Sequence, residues 1–412
     1  MRLAGRLILD GSSIPQSGWV EVAGDRIARV EPGSCPATPD LGGDDCIICP
    51  GFIDAHVHLP QVDSIGVDGL ELLEWLAQAI YPAESKWAEP RHAEQAAARA
   101  YRRMLRAGTL GYAGYLSSHL AGVTAVIRAA HAMPLRAVVG QSLMDREAPD
   151  LLLGQPEARL VRSARGRLVT SLNPRFAVSC SEAMLRRTGE RLAAGFPDSP
   201  KQREPEDPSG NLFLQTHLAE TKAECARVRE LFPEDPHYTG VYDRFGLLTP
   251  RTLLAHGIHL SDEEWSLIAS RGSVVVHCPG ANTFLESGLF NLRAAREHGV
   301  RVALGSDVAA GPDFAMPRVA RAMIEAAKLR RMTIDAEALV PTPGEAFDLI
   351  TRGNADSLGW RDMGRIEVGA SADLLVLRST IEPDRHFFGR LIHGWEETWI
   401  VDRLVAGRPM VA

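Results

Sequence analysis

Pro50-Gly51-Phe52-Ile53-Asp54-Ala55-His56-Val57-His58 is the stretch that decides the fold. It reads as the end of a buried strand, and side chains at i and i+2 leave a strand on the same side, so His56 and His58 can reach one metal ion together. An H-x-H pair alone is a weak signal. It gains weight because three further segments repeat the pattern of a short apolar run ending in a polar, metal-capable residue. These are Leu212-Phe213-Leu214-Gln215-Thr216-His217 with Glu220 just beyond, Thr252-Leu253-Leu254-Ala255-His256, and Val302-Ala303-Leu304-Gly305-Ser306-Asp307. Near-continuous apolar runs mark parallel strands buried on both faces, and in a (β/α)8 barrel the functional groups sit at the strand C-terminal ends. Four segments therefore bring His56, His58, His217, His256 and Asp307 to one rim. Histidine with carboxylate suits zinc, or another divalent ion such as Fe²⁺.

Working outward, eight strand candidates alternate with helical stretches, as such a barrel requires. They run from Ile47 to His58, Thr109 to Tyr115, Arg136 to Met144, Arg167 to Pro174, Leu212 to His217, Thr252 to His256, Ser273 to His277 and Val300 to Asp307. Helices are predicted over Arg91 to Arg106, which is rich in Ala, and over Ser261 to Ser270, where Ser261 and Glu264 form a capping-box pattern. The two ends differ from this middle. Trp19-Val20-Glu21-Val22 and Gly24-Asp25-Arg26-Ile27-Ala28-Arg29-Val30 alternate as half-exposed strands do, and Asp373 to Leu377 and Trp399 to Arg408 match them. The expected architecture is a (β/α)8 TIM barrel over residues 50–362, with a small β-sandwich built jointly from residues 1–49 and 363–412.

Composition narrows the function classes. The chain of 412 residues is 45% hydrophobic and 6% aromatic, ordinary for a globular protein with a large core, and its net charge of −7 carries no long run of one sign. No electrostatic footprint for nucleic acid is present. Lys201 to Pro208 mixes signs and reads as a solvated loop, within a stretch, Pro197 to Gly210, whose composition suits disorder. The first ten residues lack the apolar core of a secretory signal, and no segment approaches ~18 uninterrupted apolar residues, so a cytoplasmic enzyme with no membrane association is expected. Six cysteines are scattered and form no disulfide framework. Cys46-Ile47-Ile48-Cys49 matches C-x-x-C, but it has no second pair and reads as strand.

If His56, His58, His217 and Asp307 hold one Zn²⁺, hydrolytic chemistry follows, because zinc makes water acidic near neutral pH. Asp307 is placed to accept a proton, Glu220 to protonate a heterocycle or leaving group without binding metal, and His256 to polarise water or a developing oxyanion. Two-metal hydrolases on this barrel generally use a bridging carboxylated lysine on the fourth strand. None of Lys86, Lys201, Lys222 and Lys328 lies in the Arg167 to Pro174 candidate, which favours one ion per chain.

Pro50 to His58, His217 to Glu220, Ala255-His256-Gly257, His277-Cys278-Pro279 and Gly305-Ser306-Asp307 resemble the amidohydrolase superfamily, in its metal-dependent deaminase branch. Leu72 to Leu76, Tyr81-Pro82-Ala83-Glu84, Pro174 to Glu182 and His237 to Asp243 are similar to stretches of its guanine deaminases. The likeness runs from about residue 48 to the C-terminus. It implies that Gln61, Arg175 and Phe176 contact the purine, together with His217, Glu220 and His256. An arginine fork suits guanine O6 and N7, a phenyl ring can stack on the base, and glutamine offers a donor and an acceptor. It further implies a homodimer that hydrolyses guanine to xanthine and ammonia. The chain departs from that pattern around His277 to Asn282 and over Val308 to Phe314, which places the difference in the pocket wall rather than in the metal chemistry. The competing expectations are another amino-heterocycle, such as 8-oxoguanine, a pterin or an amino-triazine, and a non-catalytic scaffold.

Overall fold

The computed structural model describes residues 1–133, 135–160, 167–195 and 212–411. The Pro197 to Gly210 loop, with its mixed-charge Lys201 to Pro208, lies outside the described residues. Two sheets organise the chain. The first has seven strands: β1 (Arg2–Leu7), β2 (Gln16–Ala23), β3 (Arg26–Pro32) and β4 (Leu41–Pro50) from the front, and β13 (Leu374–Arg378), β14 (Ile400–Val405) and β15 (Arg408–Pro409) from the back. Its order is β15-β14-β13-β4-β1-β2-β3, parallel only between β1 and β4. Both chain ends thus build one small mixed β unit, with Leu3, Val20, Ile27, Ile48, Val376 and Leu404 in its own core.

The second sheet is wholly parallel and nearly closed. Its strands are β5 (Phe52–His58), β6 (Thr109–Leu116), β7 (Arg136–Leu143), β8 (Leu168–Pro174), β9 (Phe213–Leu218), β10 (Thr252–His256), β11 (Val274–His277) and β12 (Arg301–Leu304), neighbours in chain order throughout. Every residue of β5, β6, β8, β10 and β11 is buried, as parallel strands covered on both faces should be. The expected TIM barrel with a β unit from both ends is the observed fold.

Two expected strands change on inspection. The run from Ile47 to His58 is not one strand: Cys46 to Cys49 belong to β4 of the end sheet, and the chain crosses into the barrel at Gly51. Gly51 N donates to Asp373 O at 2.9 Å, Phe52 N donates to Gly108 O at 3.0 Å, and a Cβ at Gly51 would collide with the Leu110 side chain. Apolar character was shared by both halves, so composition alone could not mark the crossing. The run ending at Asp307 leaves its ladder at Leu304, three residues early.

Helices cover the barrel. Pro90–Ala107 starts with Glu89 accepting from Arg91 N and His92 N, with proline in its first turn, and stops at Gly108 at φ 81°. Its Ala93, Ala96, Ala97, Ala100 and Met104 face inward. The helix Asp262–Arg271 has the capping box expected of Ser261 and Glu264. Cys46 and Cys49 are buried free thiols, as strand cysteines should be. Among the described residues no helix is long and apolar enough to cross a membrane.

Candidate active site

The C-terminal ends of the barrel strands bring the predicted residues together. His56 and His58 project from β5, and their Nε2 atoms lie 3.1 Å apart. His217 of β9 places Nε2 3.1 Å from that of His58. Asp307 Oδ1 lies 3.3 Å from both His56 Nε2 and His58 Nε2. Together the four ligand atoms fall within 4.8 Å of one another.

The imidazoles are prepared to offer lone pairs. Burial holds His58 down to about 4, and burial with the neighbouring His56, His58 and His256 holds His217 well below the ordinary range, so both stay neutral at physiological pH. His217 Nδ1 is 2.6 Å from Arg175 O. A carbonyl only accepts, so Nδ1 carries the proton and Nε2 turns its lone pair inward. Burial alone would raise Asp307, but contact with His56 and His58 overrides it and keeps the carboxylate ionised. Three nitrogens and one carboxylate oxygen are a donor set that fits a divalent ion such as zinc.

Backbone conformation helps to aim these groups. Ala219, His256 and Asp307 have φ of 50°, 74° and 50°, a region few residues other than glycine adopt. Asp307 N donates to His56 O at 2.8 Å, and Ser306 N donates to the Asp54 carboxylate at 2.9 Å, tying the loop after β12 to β5.

Beside the cluster opens a cavity. Glu220, His256, Gln61, Arg175 and Phe176 all line it, so each residue expected to meet substrate reaches one space. His256 Nε2 lies 3.3 Å from Glu220 Oε2 and 3.8 Å from Asp307 Oδ2. Burial and the nearby Asp307 charge push Glu220 up to about 8, so it is protonated at neutral pH. Burial alone would depress Arg175, but the Glu84 carboxylate more than offsets it. Leu72, Trp75 and Leu76 form an apolar wall from the helical segment 72–85.

Several supporting residues escaped sequence reasoning. Asn282 Oδ1 sits 2.9 Å from His256 Nδ1, with Asn282 Nδ2 3.4 Å from His277 Nδ1, so one amide orients two rings. Ser287 Oγ donates to Glu220 Oε1 at 3.0 Å. Glu224 Oε2 accepts from Glu220 N at 2.8 Å while Tyr238 Oη donates to Glu224 Oε1 at 2.7 Å. Isolated polar residues leave no spacing signal, although Asn282 follows His277 closely enough to have drawn attention.

Comparison with known proteins agrees with this geometry. Residues 47–402 match the model of the amidohydrolase family. The chain is 33% identical over 346 residues to guanine deaminase of Escherichia coli, covering 82% of this chain and 74% of that protein. It is 30% identical over 374 residues to guanine deaminase of Mus musculus, covering 87% and 79%. Guanine deaminase from C. acetobutylicum, solved with guanine bound in its active site, superposes with a TM-score of 0.87 at 26% identity, covering 100% of this chain and 99% of that one. The chain belongs to the amidohydrolase family and, within it, to the guanine deaminases.

Proposed function

We propose that this protein hydrolyses guanine to xanthine and ammonia, using one zinc ion per chain held by His56, His58, His217 and Asp307. The observation that carries this proposal is the convergence of a three-histidine, one-carboxylate cluster with Glu220, Arg175 and Phe176 on one cavity. A divalent ion in that cluster supplies Lewis acidity for a hydrolytic water.

The protein's own groups do the rest. Guanine loses its C2–N bond to the exocyclic amine and gains a C2–O bond from water, so protons must move from the water to the ring nitrogen beside C2 and to the leaving amine. Glu220, protonated and buried next to His256 and Asp307, delivers a proton to the ring and recovers one from the water side. Asp307, held ionised, accepts the second proton from the water side and gives it to the leaving amine. His256, with Nδ1 donating to Asn282 Oδ1, presents its Nε2 lone pair toward the reacting centre and polarises the attacking water. Arg175 orients the base through O6 and N7, Gln61 contacts a base edge, and Phe176 packs against the ring.

The family likeness supports a homodimer acting in the cytoplasm, and the strand pairing supports a catalytic unit of residues 50–362 with residues 1–49 and 363–412 as one satellite. The direct test is ammonia release across guanine, 8-oxoguanine, adenine, cytosine and amino-triazines, with xanthine identified as product and metal counted in the same preparation. Guanine is expected to lead and the count to be close to one. A better rate on adenine or an amino-triazine, or two ions per active chain, would refute the proposal.

A further inference from the structure

One buried carboxylate behind the cavity wall, bonded to two of its lining residues, has no part in the proton movements above. Glu84 is 1% exposed and lies on the helix Tyr81–Ser85, in the segment that walls the cavity. Its Oε2 accepts from Arg175 Nη1 at 2.7 Å, and its Oε1 accepts from Gln61 Nε2 at 3.0 Å. Gln61 follows β5 and Arg175 follows β8, so one carboxylate ties together donors from two separate barrel loops. The tie is itself braced: Ser117 Oγ, beyond β6, donates to Glu84 O at 2.9 Å, and the Tyr81 ring lies 5.4 Å from the Arg175 guanidinium.

Two consequences follow. The first is geometric: Gln61 Oε1 accepts from Ala309 N at 3.3 Å, so with Nε2 on Glu84 the amide has one orientation, and the guanidinium is held at one corner with its other N–H groups left to meet a ligand. The second is electrostatic. Arg175 is 3% exposed, and a guanidinium that deep attracts any anion strongly unless it is paired. Glu84 pairs it, and the subsite becomes neutral.

We propose that Glu84 is a positioning and specificity-determining residue: it sets the donors of Arg175 and Gln61 and cancels the guanidinium charge, so the cavity takes a neutral purine and sheds an anionic one. The inference rests on guanine being the substrate. Guanine is neutral near physiological pH, whereas xanthine, with a second carbonyl beside an added ring N–H, is the stronger acid and is the product that must leave.

The experiment compares guanine kinetics and xanthine inhibition across pH in wild type, Glu84→Gln, Glu84→Asp and the double variant Glu84→Gln/Arg175→Gln, with fold and metal content checked for each. In Glu84→Gln the KM for guanine should rise about tenfold while kcat stays within about threefold, because ring placement is lost and the proton-moving groups are not. Xanthine should inhibit about tenfold more tightly relative to that KM, increasingly so as pH rises and the anion forms, because the guanidinium is now unpaired. The double variant should lose that tightening. Glu84→Asp keeps the charge but shortens the reach, so its KM should rise with no tightening; this variant decides the matter should Glu84→Gln fail to fold. Wild-type KM and xanthine inhibition in folded, metal-loaded Glu84→Gln, or equal tightening in Glu84→Asp, would overturn the role of Glu84. Failure of the wild type to release ammonia from guanine would instead overturn the substrate assignment beneath it.

Discussion

Glu220 lies three residues beyond a candidate ligand, yet its environment differs from that of Asp307. Burial with a neighbouring negative charge keeps Glu220 protonated, while contact with His56 and His58 keeps Asp307 ionised. Two carboxyl groups pushed in opposite directions are what an acid and a base in one pocket require. Glu220→Gln should therefore retain its metal and lose about 10²-fold or more in kcat, since general acid–base catalysis contributes on that scale. Metal analysis beside steady-state kinetics checks this; a metal-replete variant with wild-type turnover would remove Glu220 from the mechanism. The pH dependence follows from the same shift. An acid near 8 is protonated below that value and ionised above it, so kcat/KM should hold on the acid side and fall through a limb at about 8 or lower, a bound cation pulling it down. A profile flat to pH 10 would contradict it. At this scale the candidate cluster was legible because H-x-H and strand-terminal histidines carry spacing. Ser287 was not, since a single hydroxyl far away in the chain touches its target only after folding, and Glu84 stood in the Tyr81 to Glu84 likeness with nothing to name Gln61 and Arg175 as its partners.

At the scale of elements, apolar runs located every barrel strand, but not how each run ends. Asp307 was expected as the tip of a strand. It sits instead on a turn after Leu304, at φ 50°, because its backbone N–H bonds to His56 O rather than to the next rung of the ladder. That turn requires Gly305. A Cβ there would lie 2.6 Å from the His56 Cβ and 3.0 Å from His56 N, inside the strand that carries two candidate ligands. Gly305→Ala should cost about 1–3 kcal/mol through overpacking and lower metal occupancy by shifting His56 against Asp307. Denaturant unfolding and metal analysis test both effects. Unchanged stability with full occupancy would show that β5 yields without consequence. The sequence motif Gly305-Ser306-Asp307 was visible, whereas the packing reason for its glycine appears only when β12 lies beside β5.

For the whole molecule, the informative place is the seam where the barrel closes. The strands pair in an unbroken ladder from β5 round to β12, and no ladder joins those two. Asn354, fully buried at the start of the helix Asn354–Ser357, joins them with its side chain. Its Oδ1 accepts from Leu304 N at 2.8 Å, and its Nδ2 donates to Leu304 O at 2.8 Å and to Ile53 O at 2.6 Å. Eight apolar runs announce a barrel, but no periodicity in the sequence announces which polar residue fastens it. The candidate ligands straddle the same seam, with His56 and His58 on β5 and Asp307 after β12, so whatever loosens the closure also separates the donors of the cluster. Asn354→Ala would leave one backbone donor and two backbone acceptors short of a partner in a dry interior. At about 1–3 kcal/mol for each such group, the expected destabilisation is about 3 kcal/mol or more. The variant should unfold at clearly lower denaturant, and under native conditions it should release metal to a chelator faster than wild type. Near wild-type stability would mean that backbone contacts such as Asp307 N to His56 O close the barrel unaided. A large loss of stability with unchanged metal release would mean that the seam and the metal cluster are mechanically independent.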